Sequence, residues 1–408
     1  MSTTTHAENA PKRFWLPQKA SVVGLALIAP LATVIILVLL VPLFRFALLS
    51  VDNRATQQWL THTAQALEGW DGTTVPGDTV FAAMALDLSL SGEDAAKLAS
   101  KLNFFQSGMI SLVRKTAGSL DAIAPTRASF EAFDRQWGDL KTWRAIGLGA
   151  KAFTDEHYLN AVDLRTANPS DILSIEGQPE RKQIYVRLWM RTILVAISVV
   201  CICMAIGYPL AYYLSIAQGY TFILGMGFVL LPFWTPLLAR IASWQVLLES
   251  TGVIKGVLVG SGLISDGNMP QLFNNLFASI LVMSYVLLPY AVLPTYAVMK
   301  KVQPSLFVAA LTLGASPVRA FFTVYLPQTL PGVLAGGILI FVFSFGFYLT
   351  PELVGGPGGS LIGNQIAYNF AKSLNWGLAG ALSTMLILVI AAAALLLRIV
   401  APRQSLKS

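Results

Sequence analysis

Six long apolar stretches constrain this chain more than any other feature. They run from Ser21 to Leu49, Thr192 to Ile216, Thr221 to about Ala239, Leu276 to Met299, Leu330 to Leu349 and Leu378 to Leu397. Each approaches or exceeds the ~20 residues a helix needs to cross a ~30 Å hydrocarbon layer. Lipid offers no hydrogen bonds, so a chain crossing it as separate segments must pair its backbone groups within each one, as a helix. Composition agrees: 55% of the 408 residues are hydrophobic and 12% charged, against roughly 25% charged in soluble chains. Such a chain has more apolar surface than a soluble core can hide. The expectation is an all-α polytopic membrane protein with six transmembrane helices.

The first stretch follows Lys12, Arg13 and Lys19, as the core of a signal peptide would. Its apolar run exceeds the ~7–15 residues of such a core, and no small-x-small cleavage site follows. It reads as an uncleaved anchor over residues 21–50. Lys and Arg in short loops set orientation. With the N-terminus inside, the cytoplasmic segments hold Lys12, Arg13, Lys19, Lys300, Lys301, Arg319, Arg398, Arg403 and Lys407, with Glu8 the only acid. The opposite face receives Glu249, Asp266 and Glu352. Residues 1–20 and 399–408 are then cytoplasmic tails.

Between Asp52 and Lys182 stand 17 acidic and 13 basic residues, a balance of −4; the remainder, with 4 acids and 15 bases, carries +11. The basic excess therefore flanks the apolar spans and is no nucleic-acid footprint. Residues 51–184 are too polar to cross a membrane and too long for a connector. Helical composition over Thr56–Leu67 and Arg127–Trp137, and Ser91 three before Asp94 as a capping box for Gly92–Phe105, predict a small extracytoplasmic helical domain. Cys201 and Cys203 point to nearly opposite sides of one helix, and His6, His62 and His157 share no metal-ligand spacing; no metal site is expected.

The most informative loop is 300–328. It contains Val308-Ala309-Ala310, three residues, Gly314, nine residues, then Val324 and, one residue on, Leu326-Pro327. Ala309 and Ala310 permit close packing, Gly314 a sharp turn, and Ala315, Ser316 and Arg319 follow it. This spacing resembles the "EAA" loop of permeases from binding-protein-dependent ABC importers, with Val308 where the family carries Glu. The resemblance implies a type I ABC importer permease fold and a core domain over 185–398. It also implies that Ala309, Ala310, Gly314, Ala315, Ser316, Arg319, Leu326 and Pro327 couple the chain to an ATPase.

Further matches are Gly207–Tyr212 (GYPLAY), Leu230–Thr235 (LLPFWT), Val286–Pro294 (VLLPYAVLP), Tyr348–Pro357 (YLTPELVGGP), Ile362–Asn364 (IGN) and Asn375–Gly377 (NWG). Together they resemble the permeases of the spermidine/putrescine group. That implies a small cationic solute, a polyamine such as spermidine or putrescine. The implied partners are an ATPase dimer, a second, non-identical permease and a periplasmic substrate-binding protein. ABC import of an amino-acid-like, opine or phosphonate solute stands as the alternative.

Glu352 is the only acid between Asp266 and the C-terminus. Two readings stay open for it: a pore-mouth anion that attracts an ammonium group, or a cap for the glycine-rich turn that follows. Trp234 and Tyr285 either line a cation path or belong to an interfacial belt. Gly332 and Gly336 form a G-x-x-x-G that suits either a contact between two permeases or packing within the chain. No G-x-x-x-x-G-K-[ST] occurs, so no ATP site is expected here and ATP is left to a partner. Nor is there a catalytic Ser/His/Asp or H-E-x-x-H pattern. An ion-coupled secondary transporter would need ionisable residues inside the spans. A sensor would need an output domain beyond Arg398. The span interiors hold essentially no ionisable residues, Arg45 in the first being the exception, and the tail after Arg398 is too short for such a domain.

Overall fold

The computed structural model describes residues 18–171, 174–263, 265 and 270–400. Lys12, Arg13, Asp266, Arg403, Lys407 and most of both tails lie outside them, as do the side chains of Lys19 and Arg398. The first apolar stretch forms a unit by itself. It consists of α1 (Gln18–Ile35), a π-helical turn at Ile36–Leu40, and α2 (Val41–Leu48). Ala26–Leu48 is long and apolar enough to cross a membrane.

The second unit begins at Leu49. It opens with short helices, α3 (Arg54–Gln57) and α4 (Thr61–Ala66), followed by α5 (Asp78–Ser91), α6 (Ala95–Phe105), α7 (Met109–Ala117), α8 (Arg127–Phe133), α9 (Leu140–Gly149) and α10 (Glu156–Asn160). These helices close around Phe81, Phe130, Trp137 and Trp143, all fully buried. The rings meet edge-on, Phe81–Trp143 at 4.5 Å and Phe130–Trp137 at 5.2 Å between centroids. Both buried indoles find acceptors: Trp137 Nε1 donates to Thr116 Oγ1 (3.0 Å) and Trp143 Nε1 to the Trp137 carbonyl (2.8 Å). The helical domain foreseen over 51–184 thus has a genuine core.

Three local expectations for this domain change. Ser91 does not cap a helix; its hydroxyl donates back to the Asp87 carbonyl, and α5 ends at Gly92, whose φ is +47°. The helix foreseen from Gly92 is therefore a 3₁₀ turn at Gly92–Asp94, with α6 starting at Ala95. Thr56–Leu67 is divided between α3 and α4. A small antiparallel hairpin, β1 (Leu164–Thr166) with β2 (Ile175–Gly177), pairs Leu164 with Gly177 and ends the domain.

The membrane part follows. Its first helix, α11 (Tyr185–Ile216), has 32 residues, about 48 Å at 1.5 Å per residue. Next come α12 (Gly219–Leu230), α13 (Leu237–Leu248) and α14 (Val253–Gly260), then α15 (Leu276–Met299). After it stand α16 (Pro304–Thr312), α17 (Pro317–Ala320), α18 (Leu326–Gly346), α19 (Ile362–Ala371) and α20 (Trp376–Val400). The expected third span is not one straight helix. It breaks around a 3₁₀ turn at Leu231–Trp234, and the flanking helical stretches meet at 100°. Pro232 and Pro236 account for the break: neither donates a backbone hydrogen bond, and Pro236 holds its predecessor Thr235 in extended geometry (φ −105°, ψ 138°). The chain therefore has five straight candidate spans, or six with this bent pair, among the described residues.

Small residues bring α11, α15 and α18 together. A Cβ on Gly336 would come 3.0 Å from the Tyr290 carbonyl, one on Gly332 2.9 Å from that of Pro294, and one on Gly207 2.8 Å from Ala291 Cβ. The G-x-x-x-G on α18 therefore serves packing within the chain, against α15.

Candidate functional site

The segment from Lys300 to Gln328 links two membrane helices and carries its own small architecture. α15 runs out at Met299, and α16 starts with Pro304 at its first turn, where a missing N–H costs nothing. The helix ends in a Schellman motif. Gly314 N donates to the Leu311 carbonyl (3.0 Å), Ala315 N donates to that of Ala310 (3.1 Å), and Gly314 takes φ +88°. Ser316 then caps α17, its hydroxyl accepting from Arg319 N (3.3 Å). A π-helical turn at Phe321–Tyr325 runs directly into Leu326-Pro327 at the head of α18.

Two faces of this loop differ. Outward, Leu306, Val308 and Ala309 on α16 are exposed, as are Val318 and Leu313, the latter 88% accessible. Inward, an aromatic cluster ties the loop to the end of α11. Tyr325 packs on Phe321 (5.8 Å), Tyr212 (5.5 Å) and Phe307 of α16 (6.5 Å), and Tyr208 packs on Phe321 (6.2 Å). The Tyr208 hydroxyl lies 3.0 Å from Thr329 Oγ1 on α18, and Lys300 Nζ donates to the Ser215 carbonyl (3.3 Å). A cavity of about 340 Å³ opens between Tyr212, Met299, Lys300, Phe307 and Tyr325. The spacing singled out Val308 and Ala309 on the outward face but not Leu306, Leu313 or Val318, and it missed the aromatic cluster, in which Tyr208 and Tyr212 of α11 meet Phe321 and Tyr325 far along the chain.

At the other end of α18 the chain turns through Phe347, then a π-helical turn at Pro351–Gly355 that carries Glu352. Asn364, buried at the start of α19, donates to Glu352 Oε2 (2.7 Å) and to the Tyr348 carbonyl (3.0 Å), while its Oδ1 accepts from Leu361 N (3.1 Å). One amide thus pins the glycine-rich turn and orients the carboxylate, which stays exposed. Gly356 follows at φ +59°, pressed so closely on Asn274 that any Cβ would collide. Trp234 stands at the α12–α13 bend and is 88% exposed. Tyr285 lies half-buried on α15, edge-on to Trp244 at 5.4 Å. Among the described residues no hydrogen bond, ion pair or ring contact joins Glu352, Trp234 and Tyr285.

Residues 186–406 match the family described as binding-protein-dependent transport system inner membrane component. The chain is 36% identical over 190 residues to the spermidine/putrescine transport system permease protein PotB of Haemophilus influenzae, covering 47% of this chain and 66% of that one. With PotB of Escherichia coli K12 it shares 31% over 206 residues, 50% of this chain and 74% of that one. With the inner membrane ABC transporter permease protein YdcU of the same organism it shares 30% over 212 residues, 50% of this chain and 67% of that one. A chain from the crystal structure of a bacterial ABC transporter involved in the import of the acidic polysaccharide alginate aligns at 16% identity with a TM-score of 0.46. That alignment covers 56% of this chain and 81% of the other.

Proposed function

The chain belongs to the family of binding-protein-dependent transport system inner membrane components, and from that premise we propose that it forms half of the pathway by which an ATP-driven importer takes up a polyamine. The observation that carries this reading is α16. It is a short helix between two membrane helices, with apolar residues facing water and its end fixed by Gly314. An exposed apolar face on a fixed helix suits docking against another subunit. Here that subunit is the ATPase, and Ala309, Ala310, Ala315 and Arg319 belong to the contact. The aromatic cluster beneath passes the movement of α16 to α11 and α18.

The work divides among partners. A periplasmic binding protein delivers the solute, an ATPase dimer hydrolyses ATP, and a second permease completes the path. This chain supplies a solute affinity that differs between outward- and inward-open states. Both its termini face the cytoplasm. The polyamine assignment is supported by the names of the PotB relatives and by Glu352, held exposed beside the turn that closes α18. The test is uptake into proteoliposomes holding the four-part complex, with labelled spermidine and putrescine beside an amino acid, an opine and a phosphonate. ATP-dependent uptake of the two amines alone is expected. Uptake of another solute in their place overturns the polyamine assignment, and ATP-independent uptake overturns the importer reading.

A further inference from the structure

The extracytoplasmic domain is fastened at both ends of its sequence and to two membrane helices. At its entry, Asn53 Nδ2 donates to the carbonyls of Gly149 and Lys151 (3.0 Å each), and Thr154 N to that of Val51 (2.9 Å). At its exit, Asp163 does something unusual. It is 8% exposed and holds φ +60°, a conformation costly for a residue with a side chain. Its carboxylate accepts the backbone N–H groups of Ile184, Tyr185 and Val186 at 3.0, 2.9 and 2.7 Å. Those are among the orphan donors at the start of α11, where a negative charge also meets the positive end of the helix dipole. The ordinary capping position is occupied by Ile184, which has no acceptor to offer. Trp189 adds a second tie, its Nε1 donating to the Ala161 carbonyl (3.0 Å).

The other joint is at α20. There α10 lays His157 across Gly377 so closely that a Cβ on residue 377 would stand 2.3 Å from His157 Nε2. This contact exists only because residue 377 is glycine. Below both joints, α11 runs unbroken for 32 residues and ends at Tyr208 and Tyr212, the rings that meet Phe321 and Tyr325 under α16.

We infer that the extracytoplasmic domain is a lever fixed to α11 by Asp163 and to α20 by Gly377, through which a docked binding protein acts on the far end of α11. The inference rests on the importer reading above and adds the route. A domain tethered by a flexible linker could recruit a binding protein, but it could not push on a helix. Three charge-assisted bonds and a steric fit make a joint that can.

The test uses the assembled transporter in nanodiscs, with spermidine-loaded binding protein added over a concentration series. Asp163→Asn keeps the side-chain shape and removes the charge; Gly377→Ala adds one methyl at the second joint. Each should cut maximal binding-protein-stimulated ATP hydrolysis by about fivefold or more, the lower range of ordinary coupling. Basal hydrolysis and the half-maximal binding-protein concentration should stay unchanged. Spin labels introduced by Ser111→Cys and Lys372→Cys, in a Cys201→Ala background, should give a narrow distance distribution in the parent that broadens in both variants. Full stimulation despite a broadened distribution overturns the lever, as does a distribution already broad in the parent. A parent complex that ignores its binding protein altogether overturns the importer reading, which is a different and separable failure.

Discussion

Gly314 combines a demand and a freedom that are easily confused. Its ideal Cβ would meet nothing within 4 Å, so the position has room; what it lacks is tolerance, because φ is +88°. A left-handed residue costs an ordinary side chain about 1–2 kcal/mol, less for Asn. Gly314→Trp should therefore unseat the end of α16, abolishing transport and weakening co-purification with the ATPase while the protein still reaches the membrane. Gly314→Asn should retain most activity, and equal behaviour of the two variants would show that tolerance of the left-handed conformation is not what the position demands. At Glu352 the two readings of the sequence become one geometry, because the carboxylate both accepts from Asn364 and stays exposed. Glu352→Gln keeps a side-chain oxygen for Asn364 but loses the charge. Its half-saturation concentration for spermidine should rise severalfold with little change in thermal stability. The reverse pattern would assign Glu352 to the turn alone. Gly314 and Glu352 were both legible because each stands out locally in the sequence. Asn364 was not: its partners lie 12 and 16 positions away, and only the fold brings them together.

Among the elements, long apolar helices were the easiest to read, since α11, α15, α18 and α20 declare themselves by length alone. The bounds of α15 came out as expected, Leu276 to Met299, while the start of α11 and the ends of α18 and α20 shifted by a few residues, because apolar counting takes no account of capping. The third span misled for a definite reason. Apolar composition says how much of a segment can enter lipid, not whether it is straight, and two prolines four apart decide the second question. The helical domain between α2 and α11 was harder, because helices this short rely on tertiary packing rather than on their own propensity. Its aromatic core is where that packing concentrates. Trp137 touches Phe130 and Trp143 and donates to buried Thr116. Trp137→Ala should cost about 3–5 kcal/mol and expose the domain to proteolysis, with the membrane helices left protected. Unchanged protease resistance would mean that the four rings do not carry the domain's stability.

For the whole molecule, acidity is a probe of the contact between the inserted helical domain and α20. Burial, with a smaller contribution from Lys101, pulls the His157 imidazole down from 6.5 to about 4. The folded state thus refuses a proton that the unfolded state accepts below about pH 6.5, so stability falls as pH drops from there toward 4. At pH 5 the loss is about 2 kcal/mol relative to neutral pH. Burial also raises the carboxyl of neighbouring Glu156, which opposes the trend. The informative quantity is therefore the difference between the parent and His157→Gln. Melting temperatures from pH 7.5 to 5 should converge if His157 sits neutral in the joint. A constant gap across that range would place its titration elsewhere.

The outward face of α16 has a consequence for the life of the chain before it is assembled. Leu306 and Val308 on α16, with Leu313 at its end and Val318 on α17, are exposed apolar side chains that the chain's own core does not hide. On the proposed reading that face is what the ATPase covers, so a copy made in excess of its partner is left with the face bare.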